Sequence, residues 1–100
     1  MLKWRLTDEA QEDMKNIRVF TKQYWGAAQS IRYSKIIREK IDLLAQNPRL
    51  GTDRSAELGK GVRSILIGSH SIYYEFNAKW LTILAILHQA MTPAEHLRQK

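Results

Sequence analysis

The sequence predicts one α+β domain over residues 1–100, with the order β-α-α-β-β-β and a helical hairpin packed on a small, mostly antiparallel sheet. Three observations predict this fold class. Apolar residues recur at helical spacing between residues 8 and 47, the alternation typical of strands follows residue 62, and Gly26 interrupts the helical region. A chain of 100 residues supports one hydrophobic core, so no second domain is expected.

The first two elements are predicted to be a short strand and a long helix. Leu2, Trp4 and Leu6 alternate with basic residues, as in a strand with one buried face. Thr7 is placed to cap the helix that follows, because a threonine hydroxyl accepts hydrogen bonds from the first-turn amides. Spacings of four, three, three and four predict an apolar helix face made of Ala10, Met14, Ile17, Phe20 and Tyr24.

A glycine next to a tryptophan predicts the tip of a helical hairpin. Gly26 is expected to end the first helix, because glycine takes a left-handed conformation without steric cost. Trp25 is predicted to close the hairpin by packing over the turn. A second helix is expected from Ala27 to the residues before Asn47-Pro48, with an apolar face made of Tyr33, Ile36, Ile37, Ile41 and Leu44.

The second half of the chain is predicted to form three strands joined by tight turns. Residues 49–61 are rich in glycine and charge, and we interpret them as a surface connection. Gly68-Ser69 and Asn77-Ala78-Lys79 have turn chemistry. They separate β-rich runs at Val62–Ile67, Ser71–Phe76 and Trp80–Leu87. Pro93 can begin a short terminal helix with Thr92 as its cap.

The composition excludes several classes of site. Without cysteine the chain has no disulfides, no thiolate catalysis and no cysteine-ligated zinc. His70, His88 and His96 are scattered, so we predict neither a metal nor a cofactor. The longest apolar run, residues 81–87, is too short to span a bilayer, so no membrane partner and a cytoplasmic location are expected.

One group of polar residues could carry chemistry. Arg63, Tyr74 and His88 belong to successive strands, and a meander could bring them together with Tyr73 on a sheet face. Arginine could then clamp a phosphate while His88 or a tyrosine moves protons, as in a ribonuclease. Tyr74 also alternates with the apolar residues Ile72 and Phe76, and we favour this structural interpretation over a catalytic one.

The net charge of +6 would attract nucleic acid, an anionic membrane or an acidic protein. Arg18, Lys22 and Arg32 on the helices would contribute to this basic surface. Nucleic-acid binding by this chain alone is not predicted, because stacking on bases needs exposed aromatic rings beside the basic residues. Trp25 is the sole candidate, and hairpin closure explains it better.

Several segments, in this order, resemble the ParE toxins of bacterial toxin–antitoxin modules, which belong to the RelE/ParE superfamily. The similarity extends over nearly the whole chain. It is carried by Leu6-Thr7 with Ala10 and Asp13, Tyr24-Trp25-Gly26, Tyr33, residues 44–48, Leu50-Gly51, Gly61-Val62-Arg63, Gly68-Ser69-His70, Ile72-Tyr73-Tyr74 and residues 86–91. Gln89-Ala90 stand where many ParE toxins have an arginine or lysine before the methionine.

The resemblance implies a toxin that poisons DNA gyrase by binding, not by catalysis, and that a ParD-like antitoxin neutralises in a hetero-oligomer. It places the toxic surface near Arg63, His70, Tyr73, His88, Met91 and the tail from Thr92. We expect antitoxin contacts at Arg18, Lys22, Arg32 and Tyr33. Removal of residues 92–100 is expected to weaken poisoning more than folding.

Two other functions remain open. A RelE-type ribosome-dependent endoribonuclease would use Arg63, Tyr74 and His88. A module that has lost its toxicity would retain only antitoxin binding.

Overall fold

The computed structural model describes residues 1–91 and 93–97 of the chain. Two long helices pack on one face of a five-stranded sheet, and two short helices lie on the other face. The elements in chain order are β1 (Lys3–Leu6), α1 (Asp8–Trp25), α2 (Ala27–Gln46), β2 (Thr52–Asp53), α3 (Ser55–Leu58), β3 (Arg63–Ile67), β4 (His70–Phe76), β5 (Trp80–His88) and α4 (Pro93–Leu97). The predicted α+β class and its main order are confirmed.

The sheet has the strand order β1-β5-β4-β3-β2. β1 lies parallel to β5, and the other three pairings are antiparallel. The connection predicted over residues 49–61 is mostly at the surface, but it contains β2 and α3, which were not predicted. Two strand residues and one helical turn are too short for a periodic pattern to be visible in the sequence.

The main core lies between the helical hairpin and the sheet. Its fully buried residues include Ile37 and Leu44 of α2 and Ile72, Tyr74 and Ile83 of the central strands. The structural interpretation of Tyr74 is therefore confirmed.

The predicted helix faces were wrong at three positions. Phe20 is 58% exposed, Tyr24 is 62% exposed and Ile36 is 40% exposed. The polar residues Thr21 of α1 and Ser30 of α2 are buried instead. Thr21 follows Ile17 by four residues, so the α-helical repeat turns it inward and turns Phe20 outward.

A β-bulge in β5 opposite Tyr73 and Tyr74 changes which residues face the hairpin. Tyr73 is paired with Ala85 but Tyr74 with Ile83, so Leu84 is the extra residue. Leu84 and Ala85 both face the outer core, whereas Ile83 and Ile86 both face the hairpin. Strict alternation could not predict this change of register.

The local signals at element ends are mostly confirmed. The Thr7 hydroxyl accepts a hydrogen bond from the Ala10 amide at 3.1 Å, and α2 ends before Asn47. Gly26 has a φ of 92° and a ψ of 166°, so it is extended with positive φ and not in the expected left-handed helical conformation. The predicted cap Thr92 lies outside the described residues.

Candidate functional site

A groove of about 530 Å³ opens between the helical hairpin and the ends of the central strands. It follows α1 from Asp13 to Trp25, which is roughly 18 Å at about 1.5 Å per residue. Its lining residues come from α1, α2, β4, β5 and the turns beside these strands: Asp13, Asn16, Ile17, Phe20, Thr21, Trp25, Gln29, Tyr33, Ser69, His70, Ile86, His88 and Met91.

Tyr33 and His70 form a short polar chain at the wall of this groove. The Tyr33 hydroxyl lies 2.7 Å from His70 Nδ1 and 3.2 Å from the Ile67 carbonyl oxygen. Both contacts are satisfied when Tyr33 donates to the carbonyl and His70 Nδ1–H donates to the hydroxyl oxygen. Burial, with a smaller contribution from His88, lowers the pKa of His70. The imidazole is therefore held neutral with Nε2 unprotonated.

His88 is the cross-strand partner of His70 at the end of β5. The two rings are nearly perpendicular, with centroids 5.4 Å apart. His88 Nδ1 accepts a hydrogen bond from the Ala90 amide at 3.1 Å, so the neutral ring carries its proton on Nε2. The side chain is exposed, and this end of the sheet thus presents an imidazole donor beside an imidazole acceptor.

Asp13 lies where β5 lacks a neighbouring strand. β1 pairs only with residues 80–83 of β5, so the edge of β5 is open beyond that point. Asp13 Oδ2 accepts a hydrogen bond from the Ile86 amide at 2.9 Å, and the Thr7 hydroxyl donates to the Leu84 carbonyl at 3.0 Å. Burial is the main cause that raises the pKa of Asp13. Side chains of the α1 region thus replace the missing strand.

The three residues of the alternative nuclease interpretation are only partly brought together, because Arg63 and Tyr74 are cross-strand partners but His88 lies apart from them. The Arg63 guanidinium donates to the carbonyls of Arg49 at 3.0 Å and Gly51 at 2.7 Å, which fixes the chain after α2. The buried Tyr74 hydroxyl donates to the Pro48 carbonyl and accepts from the Gly51 amide, both at 2.8 Å. His88 pairs with His70, which lies four residues before Tyr74 on β4. At about 3.3 Å per residue, His88 is therefore displaced from Tyr74 by roughly 13 Å along the strands.

The residues predicted for the toxic surface divide into two groups. His70, His88 and Met91 line the groove together. Arg63 is at the opposite end of the meander, and Tyr73 is buried on the other sheet face with the Arg54 guanidinium 5.7 Å from its ring.

The residues predicted for antitoxin binding are also divided. Arg18, Lys22 and Arg32 are exposed on the hairpin, and Arg32 donates to Gln29 Oε1 at 2.9 Å. Arg18 lines a second groove of about 470 Å³ between α1, α2 and β1. Tyr33, in contrast, belongs to the first groove.

Trp25 does not pack over the hairpin turn. Its side chain is 72% exposed, and it lines the far end of the first groove. Phe20 and Tyr24 are also exposed on α1, with ring centroids 4.5 Å apart. Three exposed aromatic residues, Phe20, Tyr24 and Trp25, therefore lie within three positions of Lys22 in the sequence. The premise that no exposed aromatic ring accompanies the basic residues was therefore wrong.

Asp13 and Phe20 were not predicted as site residues. The helical repeat that places Ile17 and Thr21 on the buried face of α1 could have predicted that Phe20 is exposed. Nothing in the sequence placed Asp13 against Ile86, because these residues are 73 positions apart.

Within residues 1–91 and 93–97, no three histidine or carboxylate side chains converge as a metal site. No helix in that part of the chain is long and apolar enough to cross a membrane.

Comparisons with known proteins agree on one family. Residues 4–93 match the model of the ParE toxin of type II toxin–antitoxin systems. The chain is 30% identical over 97 residues to Toxin ParE1 of Caulobacter vibrioides, covering 97% of this chain and 99% of that protein. It is also 30% identical over 90 residues to Toxin ParE1 of Mycobacterium tuberculosis, covering 89% and 91%.

Two solved structures share the fold. A chromosomal ParDE system from P. aeruginosa matches with a TM-score of 0.75 at 23% identity, covering 88% of this chain and 96% of that chain. The toxin–antitoxin complex RelBE2 of M. tuberculosis matches with a TM-score of 0.60 at 20% identity, covering 88% and 98%.

Proposed function

Because this chain belongs to the ParE toxin family of type II toxin–antitoxin systems, we propose that it poisons DNA gyrase by binding. The poisoned gyrase is held on cleaved DNA, so that replication stops and the breaks persist. The chain would therefore act in the cytoplasm.

The observation that carries a binding mechanism is the engagement of the residues that a nuclease would need. The Tyr74 hydroxyl already has a donor and an acceptor and is shielded from solvent. Arg63 Nη2 donates to two backbone carbonyls, and Arg63 Nε is buried without a hydrogen-bond partner among the described residues. An RNA-cleaving site needs a proton acceptor, a proton donor and a free cation within reach of one phosphate. A long, mostly apolar groove is better suited to holding another macromolecule.

The proposed neutralising partner is a ParD-like antitoxin, and the neutralised complex is a hetero-oligomer. The net charge of +6 favours an acidic partner, and opposite charges accelerate association. Arg18, Lys22 and Arg32 are exposed on the hairpin, and Tyr33 lines the first groove.

The test is a supercoiling assay with purified chain, gyrase, ATP and relaxed plasmid. We expect loss of supercoiling and accumulation of linear plasmid, with no effect on a translation reaction run in parallel. Messenger RNA cut in ribosomes, with gyrase unaffected, would instead establish the RelE-type nuclease. A chain that does neither but binds antitoxin tightly would be a module without toxicity.

The toxic surface is tested with a double variant. The variant with both His88→Ala and Met91→Ala removes two exposed groove side chains, so we expect it to inhibit gyrase at least about tenfold more weakly. Its free energy of unfolding should change by about 0.5 kcal/mol or less. Leu43→Ala is the control, because Leu43 is 43% exposed and Met91 is 44% exposed. If the double variant inhibits gyrase as strongly as Leu43→Ala, the toxic surface does not lie in the groove.

A further inference from the structure

The groove differs in charge from the rest of the molecule. The chain has 16 lysine and arginine residues, yet none is among the described residues that line the groove. Asp13 is the one carboxylate among those residues. The described lining of the groove therefore contains a carboxylate but no lysine or arginine, although the chain has a net charge of +6.

The Asp13 carboxylate is left with unused acceptor capacity. An ionised carboxylate can accept about four hydrogen bonds, and among the described residues Asp13 accepts one, from the Ile86 amide. Burial raises its pKa, whereas the hydrogen bond from the Ile86 amide and, among the described residues, the charge of His96 lower it. The neutral His70 ring supplies no countercharge to the groove.

Covering this carboxylate has an energetic consequence. A charge that loses its water must be paired, or the occupant of the groove binds poorly. An apolar segment laid along the groove would bury Asp13 without compensation. An occupant with a cation at this point would retain the apolar contacts and pair the charge.

The two ends of the groove are chemically different. Asp13 is at one end, whereas Phe20 and Trp25 form the other, and about 18 Å separates the extremes along α1. Three turns of a helix span this distance. A bound helical segment would therefore have one orientation in which its cation meets Asp13 and its apolar residues meet the aromatic rings.

We propose that Asp13 pairs with one arginine side chain of the antitoxin and thereby fixes the orientation of the antitoxin segment in this groove. This inference rests on the antitoxin partnership proposed above. Arginine is favoured over lysine, because its planar fork donates two parallel hydrogen bonds to one carboxylate. The predominantly acidic antitoxin would thus carry one cation where the toxin carries its isolated groove carboxylate.

The first test uses small probes and the full ¹⁵N-labelled chain without antitoxin. Benzamidine is a planar cation, benzamide is its neutral analogue and benzoate is an anion of the same size. We expect benzamidine to shift the amide signals of Asp13 and Ile86 with an affinity about tenfold above that of benzamide. Benzoate should bind more weakly, and the Trp25 indole signal should not move.

Asp13→Asn is the decisive variant, because asparagine retains an acceptor for the Ile86 amide but has no charge. In this variant the ratio of the affinities for benzamidine and benzamide should fall to about one. Its melting temperature should equal that of the unaltered chain. Asp53→Asn is the matched control on β2 at the opposite edge of the sheet, and it should retain the tenfold preference. Equal binding of the three probes by the unaltered chain would overturn the proposal.

The second test uses the complex with the antitoxin. Replacing each arginine of the antitoxin with glutamine should identify one variant that binds the unaltered toxin at least about tenfold more weakly but binds Asp13→Asn unchanged. If every arginine variant gives the same loss with both toxins, no arginine is paired with Asp13. The gyrase assay requires neither probe nor antitoxin, so failure here is distinguishable from failure of the proposed function.

Discussion

At the scale of single residues, Tyr33 determines which ring nitrogen of His70 carries a proton. One hydroxyl contacts both the Ile67 carbonyl and His70 Nδ1, and both contacts are satisfied when His70 carries a proton on Nδ1. A second proton would place a charge on a partly buried ring next to His88. The groove wall is therefore built for neutral imidazole.

This arrangement predicts a loss of stability in mild acid. The pKa of His70 in the folded chain is below its ordinary value of 6.5, so the unfolded chain takes up this proton first. The free energy of unfolding should consequently fall as the pH decreases through 6.5. His70→Asn, which retains a polar atom near the Nδ1 position, should show a smaller fall between pH 7.5 and 5.5 in urea unfolding.

His96→Asn is the control for this comparison, since His96 is exposed on α4. It should retain the pH dependence of the unaltered chain. Identical pH profiles for His70→Asn and the unaltered chain would show that His70 is not the group responsible.

At the scale of elements, the helical hairpin is held at its tip by backbone geometry and one serine. The Gly26 amide donates to the Lys22 carbonyl at 3.0 Å, and its carbonyl accepts from the Ser30 amide at 3.1 Å. One residue therefore ends α1 and begins α2. The buried Ser30 hydroxyl donates to the Arg18 carbonyl at 2.9 Å, which joins the two helices. Trp25 contributes none of these bonds.

Two neighbouring substitutions should consequently have opposite outcomes. Trp25→Ala should change the free energy of unfolding by about 0.5 kcal/mol or less, because the ring is 72% exposed. Gly26→Ala should lower it by about 1–3 kcal/mol, because a side chain is strained at a φ of 92° with extended ψ. Urea unfolding of both variants measures the difference, and a larger effect of Trp25→Ala would restore tryptophan as the closure of the hairpin.

At the scale of the whole molecule, the sheet is covered on both faces. The hairpin covers one face, and α3 and α4 cover the other through a smaller cluster that contains Val62, Tyr73, Leu84 and Leu97. Leu97 is only 6% exposed. Removal of residues 92–100, which is expected to weaken poisoning more than folding, would therefore also remove a buried core residue.

A single substitution tests the contribution of α4 to stability. Leu97→Ala should lower the free energy of unfolding by about 2–3 kcal/mol, through lost apolar contact and the cavity left behind. Leu66→Ala is the control on β3, since Leu66 is 58% exposed, and it should cost about 0.5 kcal/mol or less. Equal stability of the two variants would mean that α4 is dispensable for the fold.

The sequence by itself determined the features that depend on neighbours along the chain. Helical spacing and the caps Thr7 and Gly26 define the hairpin, and alternation with tight turns defines the three later strands, because hydrogen bonds and steric limits act over a few residues. The buried position of Tyr74 also followed from alternation. The assignment of His70 and His88 as site residues came from resemblance to a family.

Only the tertiary structure decided which residues meet in the groove. Asp13 reaches Ile86 across 73 positions, and β1 stops short along β5, so the open edge exists only after the sheet is assembled. The bulge at Leu84 and the exposure of Trp25 also depend on packing between distant elements. Local periodicity reports which face of an element is apolar, but the energy of covering that face is set by whatever the rest of the chain places against it.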